Sequence, residues 1–253
     1  MTDCVITPGA GFGAGPLHRF RVVGSTMDVA RQAPACGAPL TVVARSQTAG
    51  RGRYDRSWSS PPAGGLYLTV RIPWTRPVVQ APVVSMGTAL AAAFLARELG
   101  CPDIVLKWPN DLLLSGAKAA GLLAEMATTG DGPSLMVGIG LNVSTAPEVL
   151  EAVGQPATSL SLACGQDLLE DDVLARFLSL WTEIDQRIER GGFAAVADDY
   201  RAFSDLEGRA FRLATAGTDE LVRFVRVNDD GSLTVRRADG SLFATFGGEL
   251  LKA

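Results

Sequence analysis

The sequence predicts an α+β fold, in which strands and helices alternate along most of the chain and only short strands follow at its end. From Phe20 onward, apolar runs of strand length alternate with segments of helical periodicity. From about Leu206 the pattern changes to short alternating strands, joined by NDDG and ADGS turns of the kind that hairpins use. The 253 residues suffice for a large domain with a smaller one.

The first predicted elements are a strand, a helix and a second strand. FRVVG, residues 20–24, predicts a strand, and STMDVARQA predicts a helix for which Ser25 or Thr26 is a natural N-cap. LTVVARSQ, residues 40–47, predicts the next strand. Residues 1–17 are rich in glycine and proline and predict a flexible lead. GAGFGAGP within that lead is not a dinucleotide-binding turn, because no strand precedes it and no helix can begin at its proline.

The later elements complete a domain over residues 18–204. LYLTVRIPW predicts a strand, SMGTALAAAFLAREL a helix closed by Gly100, and DIVLKWPN a further strand. AAGLLAEMA and SLMVGIGLNV predict a hairpin, and a long amphipathic helix follows with apolar residues from Val173 to Ile188 at helical spacing. The all-β segment, residues 205–253, is marginal as an independent domain, so we expect it to pack on the larger one.

Composition indicates a globular protein. The hydrophobic fraction is 47%, the charged fraction 20% and the net charge −4, so no global field draws the chain onto nucleic acid or anionic lipid. No apolar run stands out as approaching the roughly 20 residues of a membrane helix, and the N-terminal residues lack a signal-peptide pattern. These observations predict a cytoplasmic protein with no nucleic-acid or membrane partner.

Cysteine and histidine usage narrows the chemistry. The chain has one histidine, His18, which nearly excludes a histidine-dependent triad or a multi-histidine metal site. Its four cysteines are far apart and form no Cys-x-x-Cys pair, which predicts reduced thiols and no protein metal cluster: Cys4, Cys36, Cys101 and Cys164.

The most informative segment is the loop QTAGRGRYDRSWSS, residues 47–60. Glycines permit close approach of the backbone to a ligand, and the guanidinium groups of Arg51, Arg53 and Arg56 match phosphate and carboxylate oxygens two at a time. A solvated basic turn is the alternative. Because the loop leads at once into Trp58 and a predicted buried strand, we interpret it as part of an anion-binding site.

Other polar groups stand beside the predicted strands. Ser25 and Thr26 can also be simple helix caps, Gln47 a strand end, the Asn110–Asp111 pair a turn, and Lys118 a solvated charge. When these residues are considered together with the loop, a purely structural role for every one of them becomes unfavourable.

The motifs resemble those of the biotin protein ligase (biotin-[acetyl-CoA-carboxylase] ligase) family. The resemblance covers about Phe20 to the C-terminus and rests on the Ser25–Thr26 pair, QTAGRGR, SWSSPPAGGLYLTV, KWPNDLLL, KAAGLLAE and VGIGLNV. It implies a mixed β-sheet flanked by helices and a small SH3-like β-barrel at the C-terminus. Members that also repress transcription carry an N-terminal helix-turn-helix domain, and fewer than 25 residues precede Ser25, so we expect the form without that domain.

The resemblance implies a two-step ligation. Biotin and MgATP give biotinyl-5'-adenylate and pyrophosphate, and a lysine of a biotin carboxyl carrier protein domain then attacks the anhydride. Activating a carboxylate with ATP brings two anions together, so catalysis needs positive charge at the carboxylate and the α-phosphate. Arg51, Arg53 and Lys118 are the expected catalytic residues, and closure of the glycine-rich loop is expected to shield the adenylate from water.

The resemblance also assigns binding positions. The expected biotin-binding residues are Ser25, Thr26, Met27, Gln47, Gly50, Arg51, Gly52, Arg53 and Lys118. The expected ATP-binding residues are Arg51, Arg53, Trp58, Lys107, Asn110, Lys118 and Asn142. Trp58 can instead be a core anchor and Asn142 a strand-end cap. For Asp111, orienting the acceptor lysine or accepting its proton is a weaker interpretation than a structural role in the KWPND turn.

Two positions depart from the family pattern. Met27 stands where an asparagine is common and loses the amide side chain. Asp55 stands where a glycine is common and adds a negative charge to an anion-binding loop, with Arg53 or Arg56 as its expected partner. Both departures concern fine specificity more than the reaction.

Two alternative functions share features with this sequence. Lipoate ligases and octanoyltransferases share the catalytic fold, but this chain has GRGR, lacks the histidine of the lipoate ligase signature, and has no cysteine next to Lys118. A protein that only binds a biotin-like or nucleotide ligand is the second, although the joint presence of Arg51, Arg53 and Lys118 argues against it. An edge strand near residues 137–143 is expected to be open to pairing with a second copy, as a homodimer, or with the carrier domain.

Overall fold

The computed structural model describes residues 4–204, 206–215 and 218–252. Within them, an eight-stranded mixed sheet carries helices on its faces, and a five-stranded antiparallel sheet follows. The strands of the large sheet are β1 (Cys4–Thr7), β2 (Leu17–Val23), β3 (Leu40–Gln47), β4 (Gly65–Pro73), β5 (Ile104–Lys107), β6 (Asp111–Leu114), β7 (Ala117–Thr129) and β8 (Gly132–Asn142). The α-helices are α1 (Thr26–Gln32), α2 (Ala81–Glu98), α3 (Pro147–Glu151), α4 (Leu160–Cys164), α5 (Glu170–Gly191) and α6 (Ala197–Ala202).

The order of strands in the large sheet is β1-β2-β3-β4-β8-β7-β6-β5. β2 and β3 run parallel and the other neighbours antiparallel, which confirms the expected mixed sheet. The expectation of an edge strand near 137–143 is wrong. β8 lies between β4 and β7, and both of its backbone edges are hydrogen-bonded, so a partner cannot add a strand there. The edge strands of this sheet are β1 and β5.

The expected flexible lead instead carries regular structure from Cys4 onward. β1 pairs antiparallel with β2, and a short 3-10 helix follows at Phe12–Ala14. The Phe12 ring is 3% exposed and lies 4.7 Å from the Trp181 ring of α5, centroid to centroid. Burial of this aromatic ring gives the glycine-rich segment an anchor that its composition did not indicate. Residues 1–3 of the expected lead lie outside the described residues.

Helix α2 forms the centre of the main core. It begins four residues earlier than its sequence pattern indicated, because Pro82 is accommodated in its first turn. Contrary to the sequence expectation, the segment Val78–Glu98 is long and apolar enough to span a membrane by length and composition. In this structure 72% of its apolar window is buried inside the protein, where α2 packs against α5 and the large sheet.

The C-terminal strands are β9 (Ala210–Thr215), β10 (Thr218–Val227), β11 (Leu233–Arg236), β12 (Leu242–Thr245) and β13 (Glu249–Lys252). Their order is β12-β11-β10-β9-β13, an antiparallel arrangement that fits an SH3-like fold, although in the described residues the sheet is open and not a closed barrel. Its buried side chains, including Leu213, Phe224 and Leu250, belong to the same continuous core as α2 and α5. The expectation that this segment packs on the larger unit is confirmed.

Candidate active site

A buried polar network lies at the N-terminus of α1. Thr26 donates its backbone N–H to Gln47 Oε1 at 2.8 Å, and its hydroxyl lies 3.1 Å from the same oxygen. The Thr26 hydroxyl also lies 2.8 Å from Thr69 Oγ1 of β4, while Gln47 Nε2 donates to Ser60 Oγ at 2.9 Å. These contacts join α1 and β4 to the end of β3, so the Thr26 and Gln47 side chains are held in fixed orientations.

Ser25 is the N-cap of α1, as the sequence predicts. Its Oγ accepts the Met27 N–H at 3.3 Å. Met27 then points inward, is 4% exposed and packs over Gly138 of β8, where an added Cβ would lie 3.1 Å from the sulfur. The cap therefore fixes the direction in which α1 leaves the network.

The glycine–arginine loop folds back on itself beside this network. Trp58 N donates to Gly50 O at 2.9 Å, and Gly52 N donates to Arg56 O at 2.7 Å. A Cβ at position 50 would lie 2.4 Å from Trp58 O, so Gly50 is required for the close return of the chain. Its role here is to shape the loop.

Arg51 and Arg53 extend from the loop toward different parts of the protein. Arg51 Nη2 lies 2.9 Å from Asp28 Oδ1 in α1. Arg53 donates from Nη1 to Asn110 Oδ1 at 3.1 Å and from Nη2 to Gly248 O, in the C-terminal sheet region, at 3.0 Å. The two guanidinium groups thus connect the loop to α1, to the KWPND turn and to the C-terminal sheet.

Lys118 enters the site from the start of β7. Its Nζ lies 2.8 Å from Asp111 Oδ1 and 5.5 Å from the centre of the Trp58 ring. Both members of the ion pair are mostly buried, with 20% of the Lys118 side chain and 16% of the Asp111 side chain exposed. Asp111, which the sequence favoured as a turn residue, therefore holds the ammonium in place.

The Trp58 indole lies on a glycine patch formed by Gly121 of β7 and Gly140 of β8. These two residues face each other in the β7–β8 ladder. An added Cβ would lie 2.7 Å from the indole at Gly121 and 2.2 Å from it at Gly140. Side chains at either position would occupy the space of the ring.

Two cavities meet at Trp58 and Lys118, each with a volume of about 50 Å³. The α1 cavity is lined by Ser25, Thr26, Met27, Gln47, Arg51, Gly52, Arg53, Trp58, Leu68, Asn110, Lys118, Gly121, Leu122, Leu123, Gly138, Ile139 and Gly140. The α3 cavity is lined by Ser57, Trp58, Ser59, Pro61, Lys118, Asn142, Thr145, Val149, Leu150, Val153, Gln155 and Ala157. Pockets for small ligands usually measure about 300–1,000 Å³, so Trp58 and the loop must move for a cofactor-sized ligand to enter.

The structure brings most of the expected site residues together. All of the predicted biotin-binding residues except Gly50 line the α1 cavity, and Asn142 lines the α3 cavity. Lys107 lies on the edge strand β5 and lines neither cavity. Asn110 is held by Leu122, since its Nδ2 donates to Leu122 O at 3.0 Å, so it orients Arg53 within the site.

Sequence reasoning missed the glycines and one carboxylate. Gly121, Gly138 and Gly140 stand inside strand patterns, and a glycine within a strand is a signal for close approach of another group. Asp28 carried no signal, because an acidic residue in the first turn of a helix is common. In the described residues no group of three or more His, Cys, Asp or Glu side chains could hold a metal ion.

We expect Gly140→Ala to expel Trp58 from the glycine patch. The new methyl group would overlap the indole, and overpacking of this kind costs about 1–3 kcal/mol. The tryptophan emission maximum should shift toward that of a solvated indole, and turnover of any substrate bound at this site should fall. Gly24→Ala is the matched control, since a Cβ there meets no atom of the described residues within 4 Å. An unchanged emission spectrum in Gly140→Ala would contradict the placement of Trp58.

We expect Asp55→Gly to stabilise the protein. Asp55 has a φ of 57°, in the left-handed region, which costs a side-chain-bearing residue about 1 kcal/mol. Glycine removes that cost, so the free energy of unfolding in denaturant should rise by about 1 kcal/mol. Asp55→Ala keeps the strain and removes the charge; an equal gain in that variant would assign the effect to charge. The expected pairing of Asp55 with Arg53 or Arg56 stays a prediction.

Comparisons with known proteins identify the family that this chain resembles. The model of the Biotin/lipoate A/B protein ligase family matches residues 20–143. The biotin--[acetyl-CoA-carboxylase] ligase of Mycobacterium tuberculosis is 33% identical over 239 residues, which cover 89% of this chain and 85% of that protein.

Two solved structures share the fold over at least 90% of this chain. Biotin protein ligase from Aquifex aeolicus in complex with biotin and ATP superposes with a TM-score of 0.78 at 26% identity, covering 92% of this chain and 97% of that one. Biotin protein ligase from Leishmania major in complex with biotinyl-5-AMP superposes with a TM-score of 0.62 at 28% identity, covering 90% of this chain and 98% of that one. The similarity therefore includes both the large sheet and the C-terminal sheet.

Proposed function

The chain belongs to the biotin/lipoate A/B protein ligase family, and on that premise we propose that it is a biotin protein ligase. It activates biotin with ATP to biotinyl-5'-adenylate and pyrophosphate, then transfers biotin to a lysine of a carrier protein. The observation that carries the proposal is the α1 cavity, which combines a fixed polar network at one end with Arg51, Arg53 and Lys118 along its wall.

Once Trp58 and the loop have moved, the α1 cavity would receive the biotin head. A ureido ring needs paired donors and acceptors at the end of an otherwise apolar pocket. The Ser25 and Thr26 hydroxyls and the Gln47 amide supply polar groups, and Met27 and Ile139 supply apolar walls. The biotin carboxylate would then face the basic residues, next to the α3 cavity.

The basic residues perform the electrostatic part of the reaction. The carboxylate and the α-phosphate repel each other, and positively charged donors that are already in place lower the energy of the transition state. Arg51, Arg53 and Lys118 line the same cavity, so they can contact both anions. Asp111 holds the Lys118 ammonium in place, and Asn110 holds the Arg53 guanidinium group.

Once Trp58 and the loop have moved, the α3 cavity would receive the nucleotide. Trp58 offers a ring face, and Val149 and Leu150 of α3 add apolar contacts. The Trp58 Nε1 is buried and has no hydrogen-bond acceptor among the described residues, so an acceptor on a bound ligand would satisfy it. Asn142 lines this cavity and donates from Nδ2 to Thr158 O at 3.0 Å, which fixes its amide.

Magnesium would enter with the nucleotide. Mg²⁺ is usually bound by substrate phosphates, water and one or two carboxylates. No carboxylate cluster in the described residues fits a resident ion, and Asp111 at the site is already paired with Lys118. We therefore assign the ion to the ATP phosphates.

The cysteines argue against the octanoyltransferase alternative. That chemistry needs a reactive cysteine at the site, and none of the four cysteines lines either cavity. Burial, together with the neighbouring Cys164, raises the pKa of Cys101 to about 12, so its thiol stays protonated at neutral pH.

Pyrophosphate release tests the proposal. Purified protein with ATP and magnesium would be offered biotin, lipoate or octanoate, each with and without a biotin carrier domain. Biotin-dependent release followed by biotinylation of the carrier lysine is the expected result. A response to lipoate alone would assign the chain to the lipoate branch of the family, and no response to any of the three would favour a protein that only binds its ligand.

A further inference from the structure

A fully buried arginine lies behind the site, where neither the sequence motifs nor the proposed reaction uses it. Arg71 of β4 is 0% exposed. An arginine rarely occupies such a position unless its charge is paired and most of its donors are engaged. What Arg71 contacts therefore indicates what it is for.

Arg71 holds the C-terminal end of α1. Its Nη1 donates to Ala30 O at 3.1 Å and to Ala33 O at 2.6 Å, and its Nη2 donates to Pro34 O at 2.7 Å. The last carbonyl groups of a helix lack partners within the helix and form the negative end of its dipole. The guanidinium group thus supplies both donors and charge at that end.

Asp131 completes this clamp from the β7–β8 turn. Its Oδ2 lies 2.8 Å from Arg71 Nη2, and its Oδ1 accepts the N–H groups of Cys36 and Gly37 at 3.0 Å each. With 6% of its side chain exposed, Asp131 has few alternative partners in water. The chain that follows α1 is thereby fixed to the large sheet.

Strand β4 therefore holds α1 at both ends. Thr69 and Arg71 are two residues apart and point to the same face of the sheet, because side chains alternate along a strand. Thr69 contacts Thr26 at the first residue of α1, inside the site, and Arg71 contacts the other end.

Helix α1 needs such a clamp. Its seven residues are too few for a helix that is stable alone. It packs over a small separate core whose buried members are Met27, Ala30, Leu40, Val42 and Met136. A shift of α1 along the sheet would move Ser25, Thr26 and Met27 together, since all three belong to its first turn or cap.

We propose that Arg71, paired with Asp131, is a positioning residue that fixes α1 and thereby sets the biotin-facing geometry of Ser25, Thr26 and Met27. The inference rests on the proposed function, because it names biotin as the ligand. It assigns Arg71 no contact with either substrate. Its effect reaches biotin through α1 and leaves the α3 cavity, which contains no α1 residue, unaffected.

The test uses a double variant, because removing one partner alone would leave the other charge buried and unpaired. Arg71→Met/Asp131→Leu replaces the pair with apolar side chains of similar size. We expect a folded protein whose KM for biotin, and calorimetric Kd for biotin, rise about 10- to 100-fold, as misplacement of a binding group does. The KM for ATP at saturating biotin should change less than about twofold.

Arg71→Lys is the conservative variant. Lysine keeps the charge opposite Asp131 but cannot span the three carbonyl oxygens from one position. Its KM for biotin should lie between those of the wild type and the double variant. Equal rises in the KM values for biotin and ATP, or an unchanged Kd for biotin in the folded double variant, would overturn the proposal.

A control variant and a measurement on the unliganded protein distinguish this inference from the proposed function. Arg187→Met/Asp199→Leu removes a more exposed pair in which arginine likewise donates to a carboxylate and a carbonyl oxygen. Neither residue lines either cavity, so this variant should leave the biotin Kd unchanged. Amide hydrogen exchange of the unliganded Arg71→Met/Asp131→Leu variant should show loss of protection in α1 and none in α5. Because exchange needs no ligand, it separates failure of this inference from failure of the proposed function; unchanged protection of α1 would overturn the clamp.

Discussion

Replacing Lys118 with methionine should slow formation of the adenylate by about 100- to 1000-fold, the loss seen when a donor to a developing oxyanion is removed. The ammonium lies at the junction of the two cavities, where the biotin carboxylate and the α-phosphate would meet. Methionine keeps an unbranched apolar stem beside Trp58 and removes the ammonium group with its charge and its donors. Single-turnover production of biotinyl-adenylate measures the effect on the chemical step.

The structure supplies the controls for this variant. Lys118→Met leaves the Asp111 carboxylate without its partner at 2.8 Å, which alone could disturb the site. Lys118→Met/Asp111→Asn removes that orphaned charge and should still show the defect. Arg176→Ala, which removes an exposed cation paired with Glu98, should be as active as the wild type. Near-normal turnover in both Lys118 variants would show that another group stabilises the transition state.

Replacing Arg51 with alanine should shorten the time for which the protein retains the adenylate. One charge-assisted hydrogen bond contributes about 1.5–3 kcal/mol, so dissociation should become about 10- to 100-fold faster. Released adenylate reacts with exposed lysines, and biotin labelling of unrelated proteins should rise. The lifetime of the complex, followed by trapping released adenylate, measures this directly.

Asp28→Asn is the control for Arg51→Ala. In this structure Arg51 Nη2 pairs with Asp28 Oδ1 at 2.9 Å, and 48% of the Asp28 side chain is exposed. A pair this exposed is worth at most about 1 kcal/mol, so its loss alone should change the adenylate lifetime little. If Asp28→Asn leaks as fast as Arg51→Ala, the ion pair retains the ligand by closing the loop. If Arg51→Ala keeps a normal lifetime, the loop arginine has no role in shielding.

The chemistry of the site could be predicted from the sequence because its signals are local. Gly50, Arg51, Gly52 and Arg53 are adjacent in the chain, and the loop they form needs only their own backbone and charge properties. Ser25 likewise marks the start of α1 through its own side chain. The elements between the motifs were also largely predictable, since periods of 2.0 and 3.6 residues are properties of each segment.

The arrangement of those elements was decided by tertiary structure. A central strand and an edge strand can carry the same apolar pattern, so the position of β8 between β4 and β7 had no signal in residues 132–142. The fit of Trp58 on Gly121 and Gly140 depends on the pairing of two strands with a loop that is distant in sequence.

Two basic residues show the same difference between what the sequence predicts and what the tertiary structure decides. From the sequence, Lys118 and Arg71 are two cations near predicted strands, and the motif made only the first a candidate. In the fold, Lys118 reaches a cavity and Arg71 is enclosed by the end of α1 and the β7–β8 turn. The sequence by itself determined which groups can bind an anion and where most of the long strands and helices form, because these depend on neighbouring residues. Only the tertiary structure decided which charges face a ligand and which hold the fold, because burial and pairing arise from residues far apart in the chain.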